Sequence, residues 1–349
     1  MQFRGQRMPI RAVVILVAIA ALGSLTAIPA NAQNYRKIAV RSSISSPRLI
    51  RPQAVSRARA FGTCTPGSNT YDRFTACGQS DGTVTFLVDG EPVGTITFLI
   101  DQTDQLAAKS TTVTESVSIS NIVLVGETEP TELGLTAACG SGCTGDSHAP
   151  VALTEGASYQ YDLNFVNSVG ANAVSFNTPT YTWEFSSGEP ATTRGLQWRC
   201  DSKLNQAAGC VYASFVPTIY SLAGLKFISA SIRSIQAGGG PTELHRNSFL
   251  GRANRSAVCN ISLPPGWAPP AGWPLPLSDR NNQPTCDEYP FARSWEGGAR
   301  LPASERGTAW VPSRENSSQG GLLNAFYLQN RVLDALSATT QGDAFYVAV

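Results

Sequence analysis

The chain has 349 residues, 42% of them hydrophobic and 15% charged, and its formal net charge at pH 7 is +1. This length exceeds the usual size of one hydrophobic core, which excludes a single-core protein and predicts two domains plus a tail. The charge is unevenly distributed along the chain, and the distribution is more informative than the small total.

The first 32 residues have the pattern of a secretory signal peptide. Three arginines precede an apolar run that begins at Ala12, and the sequence Ala-Asn-Ala ends at Ala32. A basic start, a short apolar core and small residues predict cleavage after Ala32. A membrane anchor is the alternative, but the run is shorter than the about 20 residues that span a bilayer. We therefore expect a secreted, extracellular protein with no stable membrane insertion.

Charge divides the rest of the chain into three regions. Residues 33–60 carry seven Arg or Lys residues and no acid, and their Ser and Pro content predicts a disordered basic arm. Residues 61–243 carry seven basic and seventeen acidic side chains, whereas 244–349 carry nine arginines and eight acids. A polyanion would be repelled by the middle region and tolerated by the last one.

Eight cysteines follow the signal sequence, and an even number in an exported chain indicates disulfides. Nearest-neighbour pairing is the simplest connectivity, because it keeps each bridge within one region. A zinc site is the alternative for the Cys-Gly-Ser-Gly-Cys sequence, but His148 is the one further ligand nearby. The predicted pairs are Cys64 with Cys77, Cys139 with Cys143, Cys200 with Cys210, and Cys259 with Cys286.

Residues 61–236 are predicted to form a β-rich, sandwich-like domain. Alternating sequences flank the turn Asp89-Gly90, which is a hairpin signal. No chemical constellation stands out here, so we expect an accessory module with a cell-surface polymer as a candidate partner. Further strand candidates, separated by turn residues, are 112–120, 121–125, 159–166 and 181–185.

A Gly-rich break at 237–241 marks the start of a C-terminal domain at 241–349. Its proline-rich loop, 260–285, excludes a helix or a central strand, and the two tryptophans in it either pack under the loop or stack on nucleic-acid bases. Apolar residues at helical spacing predict a helix over 321–336, and a strand is expected at the end of the chain. The fold class is therefore α+β.

Three carboxylates, a cysteine and two glycines fall within thirteen residues from Cys286 to Gly298, in a chain otherwise poor in charge. Hard cations such as Mg²⁺ and Mn²⁺ bind oxygen ligands from a few carboxylates and keep several waters. The alternative is that the acids are solvated surface charges and that the glycines end a helix. The three carboxylates are Asp287, Glu288 and Glu296.

Four motifs follow one another in this domain: Asn254-Arg255 before Cys259, CDEYPFA…EGG from Cys286, V…EN..QGG over 311–321, and GD.F.V near the C-terminus. In this order they resemble the NucA/NucB family of secreted bacterial deoxyribonucleases, over roughly residues 240–349. The resemblance implies a compact ββα metal-finger core, similar to that of the His-Me finger nucleases. It also implies a general base at the end of a strand before the Asn-Arg element.

Hydrolysis of a DNA phosphodiester requires an activated water, compensation of negative charge and stabilisation of the leaving oxygen, and a metal ion supplies the last two. We predict a divalent metal ion, Mg²⁺ or Mn²⁺, with Glu296 as its leading ligand. Glu288 or Asp287 would be a second or outer carboxylate, and Asn254 would complete or orient the site.

The predicted substrate-binding residues are Arg255, Asn316 and Gln319. A guanidinium such as that of Arg255 matches two phosphate oxygens in a bidentate contact. The amide of Asn316 is a further candidate to orient the site. DNA is the expected substrate.

The general base is an open question. The family commonly has an acid about seven positions before Asn254, and here that position is Asn247, whose amide cannot accept a proton at neutral pH. Either a short gap in the alignment places His245 at the base position, or the domain is catalytically weak. A histidine has a suitable pKa, about 6.5, for a base near neutral pH.

The leading hypothesis is a secreted, metal-dependent and largely nonspecific deoxyribonuclease that degrades extracellular DNA. One alternative, favoured by Asn247, is a secreted binding or adhesion protein with an inert nuclease-like domain. Another is an exported nuclease toxin. A serine hydrolase is disfavoured, because no Gly-x-Ser-x-Gly sequence occurs and the chain has two histidines.

Overall fold

The computed structural model of the protein describes residues 38–47, 67 and 69–349. The predicted signal peptide and Cys64 lie outside these residues. In the described part the fold is mixed: strands dominate, and the three α-helices fall in the C-terminal region.

Within the described residues, fourteen strands precede residue 212, and most of their residues alternate between buried and exposed, as expected for strands with one face on a core. They are β1 (Ile38–Ile44), β2 (Thr70–Tyr71), β3 (Thr75–Val88), β4 (Glu91–Ala107), β5 (Ser110–Gly126), β6 (Glu132–Ala138), β7 (Cys143–Thr144), β8 (Asp146–Ala152), β9 (Tyr159–Asn167), β10 (Val174–Asn177), β11 (Thr180–Phe185), β12 (Ala191–Arg194), β13 (Trp198–Asp201) and β14 (Gly209–Val211).

These strands form three antiparallel sheets. The largest has the order β1-β3-β4-β5-β9-β7, with β2 paired to β3. A second sheet has the order β12-β11-β6-β8, and a third has the order β10-β13-β14. Their buried side chains share one hydrophobic core, which includes Trp183 and Trp198.

The predicted hairpin is confirmed. Asp89 and Gly90 join β3 to β4, and both have positive φ values, 54° and 92°. Paired positive φ values are typical of the tight turns that match the twist of a hairpin. The candidates at 159–166 and 181–185 correspond to β9 and β11, whereas the two candidates over 112–125 are parts of one strand, β5.

Part of the predicted disordered arm is ordered. Residues Ile38–Ile44 form β1, which pairs with β3 from Ile38 opposite Val88 to Ile44 opposite Gly82. Val40 and Ile44 pack against the core, so the prediction of disorder was wrong for this segment. The basic composition of the arm gave no indication of this short strand, which forms by pairing with the edge of β3.

The C-terminal region combines helices with short strands. Its strands are β15 (Thr218–Ile219), β16 (Glu243–His245), β17 (Pro284–Tyr289), β18 (Gly307–Pro312) and β19 (Ala344–Val347), and its helices are α1 (Lys226–Ala237), α2 (Gly251–Cys259) and α3 (Ser313–Gln329). The sheets have the orders β15-β19-β16 and β17-β18. No helix in the described part of the chain is long and apolar enough to cross a membrane.

The helix predicted at 321–336 begins earlier and ends earlier than the apolar periodicity indicates. It starts at Ser313, directly after Pro312, and the Glu315 carboxylate in its first turn accepts hydrogen bonds from the first N–H groups of α1, at Phe227 (2.9 Å) and Ile228 (3.3 Å). It ends at Gln329, because Arg331 has a positive φ of 46°. The first turns of α3 thus make a polar contact with α1, which the spacing of apolar residues does not indicate.

The proline-rich loop is packed over α1. The Trp273 ring is buried, its Nε1–H donates to the Asn282 carbonyl at 2.7 Å, and it contacts the rings of Phe227 and Trp267. These contacts favour packing as the role of the loop tryptophans.

The two regions have separate hydrophobic cores within one compact unit, 38–349. Among the described residues, three of the predicted nearest-neighbour disulfides are present: Cys139–Cys143, Cys200–Cys210 and Cys259–Cys286. The Cys139–Cys143 bridge removes the two thiolates that the zinc alternative requires.

Arg331, immediately after α3, is fully buried and connects the two regions. Its Nε–H donates to the Asp201 carboxylate at 2.9 Å, and its other N–H groups bond to Asp201, Ala108 and Ala207. Arg73 and Arg199, both buried in the β-rich region, donate in turn to the Arg331 carbonyl, and Arg199 also binds the Asp343 carboxylate at 2.7 Å. A buried guanidinium is tolerated only with such complete pairing.

Replacing Arg331 with Met should lower the free energy of unfolding by about 3–5 kcal/mol, because the buried Asp201 carboxylate would lose its hydrogen bonds to Arg331 and keep the Arg199 Nε at 3.7 Å. Chemical denaturation measures this effect. Arg314→Met is the matched control, since Arg314 is exposed on α3. Equal midpoints for the two variants would contradict a stabilising role for the buried pair.

Two buried acids lie opposite each other on β4 and β5. Asp104 pairs in register with Glu115, and each accepts a tyrosine hydroxyl, from Tyr212 (2.7 Å) and Tyr181 (2.6 Å) respectively. Burial raises the pKa of Asp104 to about 6. Burial and the Asp104 charge also raise the pKa of Glu115 well above its usual value.

Because folding raises both pKa values, the folded chain binds more protons than the unfolded chain. The stability that Asp104 contributes is full below about pH 4 and is lost as the pH rises through about 6, and that of Glu115 is lost as the pH rises toward its own raised pKa. Glu115→Gln should therefore increase the free energy of unfolding at pH 8 by about 1–3 kcal/mol and flatten its dependence between pH 5 and 8. Denaturation at both pH values measures this, and an unchanged slope would contradict it.

Candidate functional site

The segment after β17 runs antiparallel beside the end of β16. The Trp295 N–H donates to the His245 carbonyl at 2.8 Å, and the Asn247 N–H donates to the Arg293 carbonyl at 2.9 Å. Arg246 and Ser294 form the bridge between them. This pairing brings His245 to Glu296, although they are 51 positions apart in the chain.

Glu296 holds His245 through both carboxylate oxygens. The His245 Nδ1 lies 2.8 Å from Oε1, and the His245 backbone N–H donates to Oε2 at 2.9 Å. The hydrogen bond to Glu296 raises the pKa of His245, and burial opposes this effect. With Nδ1–H donated to the carboxylate, the neutral ring carries its lone pair on Nε2. The side chains remain 26% and 12% exposed, so the pair is accessible to small molecules.

Asn247 has a structural role. It is fully buried, and its side-chain NH₂ donates to the carbonyls of Ser337 (3.0 Å) and Thr340 (2.7 Å). Its side-chain oxygen accepts the Leu250 N–H at 3.3 Å and caps the 3₁₀ turn before α2. The residue at the expected acidic position is therefore committed to backbone contacts.

Asn254 holds the segment that carries Glu296. Its side-chain NH₂ donates to the carbonyls of Ala292 (2.9 Å) and Ser294 (3.0 Å). Gly297 and Gly298 pack directly on this side chain, and a Cβ on Gly297 would lie 2.3 Å from the Phe291 carbonyl oxygen. Gly298 also has a positive φ of 69°. The two glycines thus permit close packing against α2, and they do not end a helix.

The other predicted site residues line a separate cavity of about 350 Å³, which His245 and Glu296 do not line. They come from α2, β17 and α3: Arg255, Asp287, Glu288, Asn316 and Gln319. The structure therefore divides the predicted residues into the His245–Glu296 pair, held by Asn254, and this cavity set.

The cavity carboxylates are buried and repel each other. Burial, followed by the Glu288 charge, raises the pKa of Asp287 to about 7. Burial also raises the pKa of Glu288, and the Arg255 guanidinium, 3.6 Å away, opposes this shift. Gln319 Nε2 lies 3.4 Å from the Asp287 carboxylate, and Asn316 donates to the Cys286 carbonyl at 3.0 Å.

Cys259, Cys286 and Glu288 form a compact group with potential metal-ligand atoms. Both sulfurs belong to one disulfide, however, and a disulfide sulfur lacks the thiolate charge that binds metal ions. The oxygen atoms of Glu288, Asp287 and Glu296 are the donors that suit a hard cation.

Residues 274–348 match the family model of deoxyribonuclease NucA/NucB. The C-terminal region therefore contains a NucA/NucB-type domain. A search of curated proteins finds no match to the chain. The matched segment of the NucA/NucB-type domain contains Glu296 and the carboxylates of β17, whereas His245 and Asn254 precede it. The family supports a deoxyribonuclease-type function and DNA as the substrate.

Sequence reasoning missed several residues of the NucA/NucB-type domain that line the cavity. Arg246 and Arg293 are two of them, and their positions follow from the pairing of β16 with the segment at 293–296. Two others, Asn324 and Tyr327, extend the α3 face that Asn316 and Gln319 begin. Helical spacing of 316, 319–320, 323–324 and 327 was the available signal.

Replacing Glu296 with Gln should lower the pKa of His245 toward its usual value of about 6.5, because the charged hydrogen-bond acceptor is lost. An NMR titration of the imidazole protons measures this pKa. The chain has two histidines, so His148→Gln assigns the signals. The same pKa with and without the Glu296 carboxylate would contradict the coupling.

Proposed function

We propose that the NucA/NucB-type domain hydrolyses DNA phosphodiester bonds, with His245 as general base and Glu296 as ligand of a divalent metal ion. The observation that carries this proposal is the His245–Glu296 pair at the end of β16. Glu296 lies in the segment that matches a deoxyribonuclease family, and His245 lies at the strand end before the Asn254-Arg255 element, where the resemblance expects a base.

His245 has the properties that proton abstraction from water requires. The carboxylate fixes the ring orientation and the Nδ1–H tautomer, which leaves Nε2 to accept a proton. After abstraction, the Glu296 charge stabilises the imidazolium. Asn247 is not needed as a base in this scheme, because the acidic side chain that the family commonly has is replaced by a histidine two positions earlier.

Each Glu296 oxygen accepts one hydrogen bond from His245 and keeps a further lone pair for a hard cation, which binds proteins through one or two carboxylates and retains several waters. When bound, Mg²⁺ or Mn²⁺ would compensate charge on the phosphate and stabilise the departing 3′ oxygen. Asn254 acts as a positioning residue, since its amide fixes the backbone on which Glu296 stands. We propose that β16, the segment at 293–296 and α2 are the two β elements and the helix of the predicted ββα metal-finger core.

The same proposal includes export and low sequence specificity. Disulfides such as Cys259–Cys286 are typical of proteins that fold outside the cytosol. Arginine contacts to phosphates, for which Arg255 is the predicted residue, carry little sequence information. We therefore propose extracellular DNA as the substrate.

Plasmid nicking by the mature, disulfide-intact protein tests this function. We expect cleavage with Mg²⁺ or Mn²⁺ that EDTA abolishes, and a rate lower by about 10²–10⁴ in Glu296→Gln and in His245→Gln, because each loses a charge or base that the transition state requires. His148→Gln is the matched control with unchanged activity, since His148 lies on β8 and stacks on Tyr161. Equal loss in all three variants would contradict the assignment.

A second candidate is a DNA-binding protein without catalysis, and Asn247 favours it because no acid occupies that position. Folded wild-type protein that retards plasmid in a gel but never nicks it with any metal would establish this candidate. Nicking lost in His245→Gln would exclude it.

A further inference from the structure

The cavity between α3 and β17 has no role in the proton transfer, although its volume of about 350 Å³ is that of a small-molecule pocket. Its walls combine three kinds of chemistry: guanidinium groups, buried hydrogen-bond acceptors and apolar surface. Each kind restricts what the cavity can bind.

Three arginines from different segments line the cavity: Arg246, Arg255 and Arg293. Arg246 lies over the Tyr327 ring, 4.5 Å from its centroid, and donates to the Val332 carbonyl at 2.6 Å, so its position is fixed. Arg293 is exposed to solvent. Converging guanidinium groups match the oxygens of a phosphate.

Buried acceptors occupy another wall. Asp287 and Glu288 are each 4% exposed, and Gln319 beside them is also buried. Besides their contacts to Arg255 and Gln319, these carboxylate oxygens can accept further hydrogen bonds, such as those from the N–H groups at the edge of guanine, cytosine or adenine.

Apolar surface completes the cavity through Phe291, Leu323 and Tyr327. Enzymes that take a base out of its stack hold it against aromatic and apolar side chains in the same manner. The Tyr327 hydroxyl is buried and has no hydrogen-bond partner among the described residues.

We propose that this cavity binds one unstacked nucleotide of DNA, its base toward the carboxylates and its phosphate toward the arginines. A free metal cation would meet the repulsion of three guanidinium groups, and a phosphate alone would meet that of two carboxylates. A nucleotide suits both the carboxylates and the arginines, because its base presents hydrogen-bond donors and its phosphate is anionic.

This inference rests on the proposed function and adds a substrate preference to it. Arg246 of the cavity follows His245 of the catalytic pair directly in the chain. A base enters the cavity only when it leaves the stack, which costs a few kcal/mol in a duplex and less in a single strand. Single-stranded DNA is therefore the preferred substrate.

Two adjacent glycines of α3 provide a matched pair of variants. Gly320 lines the cavity, Gly321 does not, and a Cβ at either position meets no atom within 4 Å. Leucine favours a helix more than glycine does, so Gly320→Leu and Gly321→Leu should both fold. Gly320→Leu alone places a side chain at the cavity wall.

Isothermal titration in EDTA with deoxyguanosine 5′-monophosphate and with deoxyribose 5-phosphate tests the site. We expect the nucleotide to bind roughly tenfold tighter or more, and this advantage to be lost in Gly320→Leu and kept in Gly321→Leu. Equal binding of the two compounds, or equal behaviour of the two variants, would overturn the proposal. Binding by neither compound would also overturn it.

Cleavage of matched single-stranded and duplex oligonucleotides with Mg²⁺ separates this inference from the proposed function. A preference for the single strand that falls in Gly320→Leu and persists in Gly321→Leu supports the nucleotide site. Nucleotide binding without cleavage of either oligonucleotide would retain the site and remove the nuclease. Equal cleavage of both oligonucleotides by wild-type protein would overturn the single-strand preference.

Discussion

The contact between Arg331 and Asp201 determines how the rest of the molecule is arranged. Both charged side chains are completely buried where the end of α3 contacts the β-rich region. Neither charge tolerates that burial without the other, so the pair specifies one relation between the two regions. Arg73 and Gln206 bind the carbonyls of Asn330 and Leu328, which are among the groups that the end of a helix leaves unsatisfied. The β-rich region thus supplies hydrogen-bond donors to the end of α3, and residues of α3 form one wall of the cavity.

A second constraint acts inside the NucA/NucB-type domain. Glu296 lies on a segment without regular secondary structure, and such a segment needs external contacts to hold a side chain in place. Asn254, the close packing of Gly297 and the backbone pairing with β16 supply those contacts. The Glu296 carboxylate is therefore held in place although its segment has no regular secondary structure. His245 gains its orientation from the same arrangement, because both of its contacts to Glu296 depend on that backbone.

Local signals made part of this structure predictable. The Asp89-Gly90 hairpin follows from two residues that accept positive φ, and the nearest-neighbour pairing of Cys200 with Cys210 follows from proximity in the chain. The motif around Glu296 was recognisable from its composition. Non-local contacts determined the rest. The first turn of α3 depends on Glu315 binding the start of α1, and the role of Asn247 depends on carbonyls about 90 residues downstream. The separation of Asp287 and Glu288 from Glu296 likewise follows from strand pairing that no local pattern encodes.

The Cys259–Cys286 bridge has a practical consequence for the proline-rich loop between its ends. Because the bridge fixes both ends, a change of loop length leaves α2 and β17 where they are, and loop entropy grows only slowly with length. Gly266, at the exposed tip, has open space around it. A fluorescent label or an immobilisation tag inserted at this tip would lie away from the residues that line the cavity, so the loop is a suitable attachment point for single-molecule measurements.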